Sequence, residues 1–103
     1  MMTPEENFFY ETGAAIDGAE QSQMFGKPCY KTGGKAFMCF FQNCIVCKLG
    51  ADKHADALAL EGSQLFDPSG KGRPMKEWVQ ITFQHKDRWQ EFAEAALGYV
   101  SGK

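Results

Sequence analysis

The strongest periodic signal lies at the C-terminal end. Trp89, Phe92, Ala93, Ala96, Leu97 and Val100 recur at spacings of three and four, with Gln90, Glu91 and Glu94 off that stripe. This is the pattern of a helix with one buried face, and Gly102 lets it end. At the other end, Thr3-Pro4-Glu5-Glu6 reads as a helix start. Thr3 can cap, Pro4 suits the first helical position, and the two glutamates favour the positive end of the dipole. That helix carries Phe8, Phe9 and Ile16 and is expected to fail near Gly13 or Gly18.

The middle of the chain reads as strands. Residues 20–31 are extended, with Gly26 and Pro28 marking a bend or bulge between two short strands. Gly33-Gly34 marks a turn. Lys35–Phe41 and Cys44–Leu49 are apolar runs joined by Gln42-Asn43, a hairpin signal without the preferred Asn-Gly pair. Asp52–Leu60 reads as a short helix capped by Asp52 and ended by Gly62. Gln64–Phe66 is a short strand, residues 67–74 a loop, and Met75–Phe83 the last strand. Short links between successive strands imply antiparallel pairing. The expectation is one α+β domain over residues 1–103, with an antiparallel sheet of about four or five strands and helices at both chain ends covering one face.

Composition fits a globular domain that buries an aromatic core: 44% hydrophobic, 23% charged, with nine phenylalanines among 103 residues. The net charge of −2 argues against a general duplex-DNA binder, which needs a basic excess, while leaving room for a local basic patch. No run reaches the ~20 apolar residues of a membrane span. The acidic stretch Met1–Glu6 lacks the basic-then-apolar pattern of a signal peptide. The chain is therefore placed in the cytoplasm, where its four cysteines are expected to be reduced. No metal or cofactor is expected.

Strand alternation sorts the hairpin into two faces. A two-residue turn at Gln42-Asn43 sets Phe41 opposite Cys44 and Cys39 opposite Val46. One face then holds Ala36, Met38, Phe40, Ile45, Cys47 and Leu49, and the other Phe37, Cys39, Phe41, Cys44, Val46 and Lys48. Both are apolar, whereas an exposed antiparallel face alternates to polar residues. Either other elements of the chain cover both faces, or Phe37, Cys39, Phe41 and Val46 form an interface to a homodimer mate or protein partner.

Other candidate chemistry is sparse. Cys44-Ile45-Val46-Cys47 has the spacing of a redox or zinc pair, but on a strand its thiols point to opposite faces. Ser69-Gly70-Lys71-Gly72-Arg73, with Lys76 close behind, could cradle an anion on glycine-freed backbone N–H groups, although the P-loop spacing is absent. Trp78 beside a groove could stack on a ligand. His54 and His85 have no partner by spacing, and Glu61 and Asp67 do not pair into an acid–base arrangement.

Three blocks, taken together, resemble the TfoX N-terminal-domain family and the related YjbR-like proteins. They are Met24-Phe25-Gly26-Lys27-Pro28 with Tyr30-Lys31 and Gly34-Lys35-Ala36-Phe37, then Leu65-Phe66-Asp67-Pro68 with Gly72-Arg73-Pro74-Met75-Lys76-Glu77-Trp78-Val79, and the terminal amphipathic helix. The resemblance covers roughly residues 5–100. It implies a bacterial protein with an antiparallel sheet flanked by helices, similar to secretion chaperones, and no catalytic residues or cofactor. Full-length TfoX-like proteins act in competence regulation and carry a second helical domain. The expected function is a non-enzymatic protein-interaction or regulatory module. The alternatives are a small-ligand or anion-binding protein using Lys71, Arg73, Lys76 and Trp78, and a thiol enzyme using a hairpin cysteine.

Overall fold

The computed structural model of the chain describes residues 3–24 and 26–102. Met1 and Met2 of the acidic N-terminal stretch, Phe25 of the first family-like block, and Lys103 lie outside the described residues. The elements are α1 (Pro4–Ala14), β1 (Glu20–Met24), β2 (Lys27–Thr32), β3 (Lys35–Phe41), β4 (Cys44–Lys48), α2 (Ala51–Leu58), β5 (Gln64–Phe66), β6 (Met75–Ile81) and α3 (Lys86–Ser101). All strand pairs are antiparallel, in the order β1-β2-β3-β4-β6-β5. The architecture is α+β, with a six-stranded sheet. No helix among the described residues is long and apolar enough to cross a membrane.

Local chemistry explains the element ends. Thr3 Oγ1 accepts from the Glu6 N–H at 3.1 Å, and Pro4 follows it at the first helical position. The first helix ends at Ala14, beside Gly13 as expected. Gly13 itself is buried in the last turn, and a Cβ added there would collide with the Tyr30 ring, so its missing side chain is what lets α1 approach β2. The β3–β4 turn places Gln42 and Asn43 at φ 49° and 63°, the paired left-handed conformation of a two-residue hairpin turn. The second helix starts one residue earlier than expected, on Gly50 rather than on an Asp52 cap. The last strand stops at Ile81, and Phe83–His85 form a 3₁₀ turn that sets Phe83 edge-on to both Phe8 and Trp89.

All three helices lie on one side of the sheet. Their cluster contains Phe9, Met38, Phe40, Ile45, Cys47, Val79, Ile81, Trp89, Phe92 and Ala96. A second, smaller cluster on the other side contains Cys29, Cys39, Val46, Phe66 and Trp78, with Met24, Ala36, Phe41 and Met75 packed against it.

One residue departs from simple alternation. Tyr30 pairs with Met38 but the next residue, Lys31, pairs with Ala36, so Phe37 is an extra residue in β3. This bulge turns Phe37 to the helix side, fully buried, and sends Ala36 to the other side. The expected faces are therefore corrected at these two positions: Phe37 and Ala36 exchange sides. Beyond the bulge the hairpin keeps the expected register, with Phe41 opposite Cys44 and Cys39 opposite Val46.

This placement has a measurable consequence. Phe37→Ala is expected to destabilise the fold by about 3–5 kcal/mol, the cost of emptying a buried aromatic site. Denaturant unfolding measures it, and a loss under about 1 kcal/mol would place Phe37 at a surface instead.

Candidate functional site

The helix-free side of the sheet is where surface and chemistry meet. A single row runs across all six strands on this side: Ser22, Cys29, Cys39, Val46, Gln80 and Gln64, each directly opposite the next. Its centre is closed, since Cys29, Cys39 and Val46 are buried in a cluster that contains no helix residue. The sheet itself supplies the cover. Met24 of β1 lines the same groove as Met75 and Trp78 of β6, with three strands between them in the sheet order, so the sheet curls toward its helix-free side.

That groove has a volume of about 660 Å³. Met24, Ala36, Met75 and Trp78 form its apolar wall, Lys35 and Lys48 its basic one, and Tyr99 and Val100 of α3 overhang its end. Glu77 is the acidic group present, and its Oε1 accepts from the Tyr99 hydroxyl at 2.9 Å. Lys48 is half-buried and directly opposite Trp78 in the ladder. Among the described residues no carboxylate lies within ion-pair distance of Lys35 or Lys48, the ion pairs being Lys53–Glu91 and Arg88–Glu91 in the helix layer.

Charge is segregated along the same division. Lys27, Lys31, Lys35, Lys48, Lys71, Arg73 and Lys76 lie on the strands and the loop after β5, against Glu20, Asp67 and Glu77. The helices and their flanks carry the remaining acids, with Lys53, Lys86 and Arg88 as their cations among the described residues. The modest net charge conceals a basic sheet half and an acidic helix half.

The loop expected to cradle an anion is organised by its own carboxylate. Asp67 Oδ1 accepts from the Ser69 N–H (3.1 Å), the Ser69 hydroxyl (2.7 Å) and the Gly70 N–H (3.1 Å). Asp67 Oδ2 accepts from the N–H groups of Gly72 (2.9 Å) and Arg73 (3.2 Å). The Lys71 N–H goes to Ser69 Oγ at 3.2 Å. Gly70 and Gly72 adopt φ 67° and 77°, which lets the chain wrap the carboxylate. The Ser69 hydroxyl first, then these backbone donors, hold the Asp67 carboxyl below its ordinary range. The nest the glycines build is thus occupied from within. Lys71 and Arg73 extend as exposed side chains, and Lys76 is exposed on β6. Of the four residues expected to bind a ligand there, only Trp78 lines the basic groove, and Lys71, Arg73 and Lys76 are not brought to it.

The four residues expected to form an interface are divided. Phe37 is inside the helix-side core, Cys39 and Val46 are buried beneath the curl, and Phe41 is half-buried, edge-on to Phe66 with Lys27 Nζ 5.5 Å from its ring centroid. The first three present no surface in this conformation. Lys48 in the groove and Asp67 at the centre of the loop are the positions the sequence reading did not single out as site residues. A lone lysine in an apolar strand and an Asp-Pro-Ser-Gly turn were the signals for them.

All four cysteines are buried. Burial pushes every thiol up, Cys39 to about 12 and Cys47 further, which keeps them protonated and poorly nucleophilic. Cys47 belongs to the helix-side core, whereas Cys44 Sγ accepts from Gln80 Nε2 at 3.6 Å on the other side. Each histidine ring is tied to a main-chain carbonyl, His54 Nε2 to Lys76 and His85 Nε2 to Glu61, both at 2.7 Å. Among the described residues no group of three His, Cys, Asp or Glu side chains converges to hold a metal ion.

No family model matches this chain, and no curated protein matches it.

The thiol environment is directly testable. A disulfide reagent such as dithionitrobenzoate should react with essentially no cysteine in the native protein and with all four after unfolding. A native cysteine reacting as fast as a free thiol would contradict the burial described above.

Proposed function

We propose that this chain is a cytoplasmic, non-enzymatic binding module of the TfoX N-terminal-domain type, and that it holds an acidic, apolar segment of a partner protein in the groove between Lys48 and Trp78. One observation carries the reading. Lys48 is a half-buried lysine on an otherwise apolar sheet face, opposite a tryptophan and without a carboxylate partner among the described residues. A cation set in apolar surface without an internal partner gains from a ligand that supplies the missing anion. Lys35 reinforces it at the rim, and Met24, Met75 and Trp78 offer flexible and aromatic apolar surface beside it.

The buried, protonated thiols and the carbonyl-bound histidines argue against the thiol-enzyme alternative. The filled nest around Asp67 argues against an anion held by backbone N–H groups in the loop 69–76. A second copy of the chain is a poor occupant for this groove, because a two-fold contact would set basic face against basic face. The positions behind the family resemblance are divided, since Tyr30, Phe37, Val79 and the terminal helix belong to the helix-side core. Met24, Met75 and Trp78 are in the groove, and Asp67, Gly72 and Arg73 in the adjoining loop.

Panning a displayed peptide library against the intact protein tests the proposal. Selected sequences should place Asp or Glu next to large apolar residues, and their binding should weaken with added salt. Lys48→Glu should weaken them about tenfold or more, the scale of removing one partly buried charge pair. Lys71→Ala with Arg73→Ala should leave them unchanged. Selection of neutral or basic sequences, or indifference to Lys48→Glu in a folded variant, would contradict the reading.

A further inference from the structure

We infer a second binding site, for an uncharged heterocycle of the nucleobase type, in the cavity between the β3–β4 turn and the loop after β5. It is separate from the Lys48 groove and shares none of that groove's lining residues. Its volume is about 450 Å³, within the ~300–1,000 Å³ of small-molecule sites.

The telling residue is Gln80. Its side chain is 6% exposed and lines the cavity. Its Nε2 donates to Cys44 Sγ at 3.6 Å, while among the described residues no donor reaches its Oε1. That oxygen keeps contact with the cavity, so it is free to accept from a ligand N–H. Gln64 stands directly opposite Gln80 in the β5–β6 ladder and is exposed at the rim. Two carboxamides side by side offer an acceptor from the buried one and a donor from the rim. That complements an edge on which N–H and C=O, or N–H and ring nitrogen, are neighbours. Carboxamide side chains read nucleobase edges through the same pairing. The half-buried Phe41 ring supplies an apolar wall for a flat ligand.

The opposite wall decides the charge of the ligand. Asp67, Pro68, Ser69 and Gly70 form it, and the Asp67 carboxylate already takes the Ser69, Gly70, Gly72 and Arg73 N–H groups. No backbone nest is left for a phosphate, and the wall presents a carboxylate. The site therefore suits a free base or nucleoside rather than a nucleotide.

Two-dimensional amide NMR on the intact protein tests this with adenosine, guanosine, cytidine and uridine, each beside its 5′-monophosphate. At least one nucleoside should shift the signals of Phe41, Gln64 and Gln80 in a saturable way, and its monophosphate should bind no tighter. Gln80→Leu and Gln64→Ala should each weaken that binding about fivefold or more, while peptides selected on the Lys48 groove bind both variants normally. If Gln80→Leu fails to fold, Gln64→Ala, an exposed position, decides alone. Silence of all four nucleosides at millimolar concentration would overturn the inference. So would shifts confined to other residues, or a monophosphate that binds more tightly through Lys71 or Arg73.

Discussion

The arrangement of this molecule depends on one inserted residue in a strand. With Phe37 as an extra residue in β3, a strand that is apolar at six successive positions, from Ala36 to Phe41, can feed two cores of different size. Phe37 and Met38 both turn toward the helices, adding a second large side chain to the side where three helices must be filled against. The small Ala36 takes the other side, at the point where the curled sheet closes on itself. A bulge also sharpens local twist and bend, and the curl brings Met24 over toward Met75 and Trp78. A larger side chain in place of Ala36 would project into the groove this curl leaves open.

The helices cover only one face, so the other face is sealed at its centre by the sheet's own curvature and left open at its ends. The two openings differ in chemistry. One has lysines and methionines about a tryptophan, and the other has three glutamine side chains, a phenylalanine and a self-capped aspartate turn. The charge division sharpens the difference between the sides of the domain. The helix layer uses its cations largely within itself, with Arg88 first and then Lys53 gripping Glu91 and holding its carboxyl at about 2. The lysines of the sheet half have no such partners among the described residues. A partner approaching that half meets uncompensated positive charge set in apolar surface, a combination that favours capture of acidic, amphipathic chain segments.

Much of this fold could be read directly from the residues. The terminal helix stripe, the Thr3 cap, the hairpin register about Gln42-Asn43 and the antiparallel α+β class all rest on local periodicity, which the chain states clearly. The bulge was not legible, because a period-two rule has no place for an extra residue, and the rule put Phe37 and Ala36 on the wrong sides. The curl was not legible either. It depends on Met24 meeting a strand some fifty residues away. At the sites, glycines were read as open N–H donors, when the aspartate two residues before Ser69 was already their acceptor. Lys48 was visible as a charge in an apolar run, but its value as a binding group emerges only when the ladder puts Trp78 opposite it.

The central claim is that the helix-free face is closed by curvature of the sheet itself. Methyl-selective NMR on methionine-labelled protein tests it most directly. Nuclear Overhauser contacts are expected from the Met24 and the Met75 methyl groups alike into the cluster of Val46, Phe66 and Trp78. A Met24 methyl that shows no such contact, together with a Trp78 indole that exchanges freely with solvent-borne quenchers, would mean that the sheet lies open and that the face is a bare apolar surface.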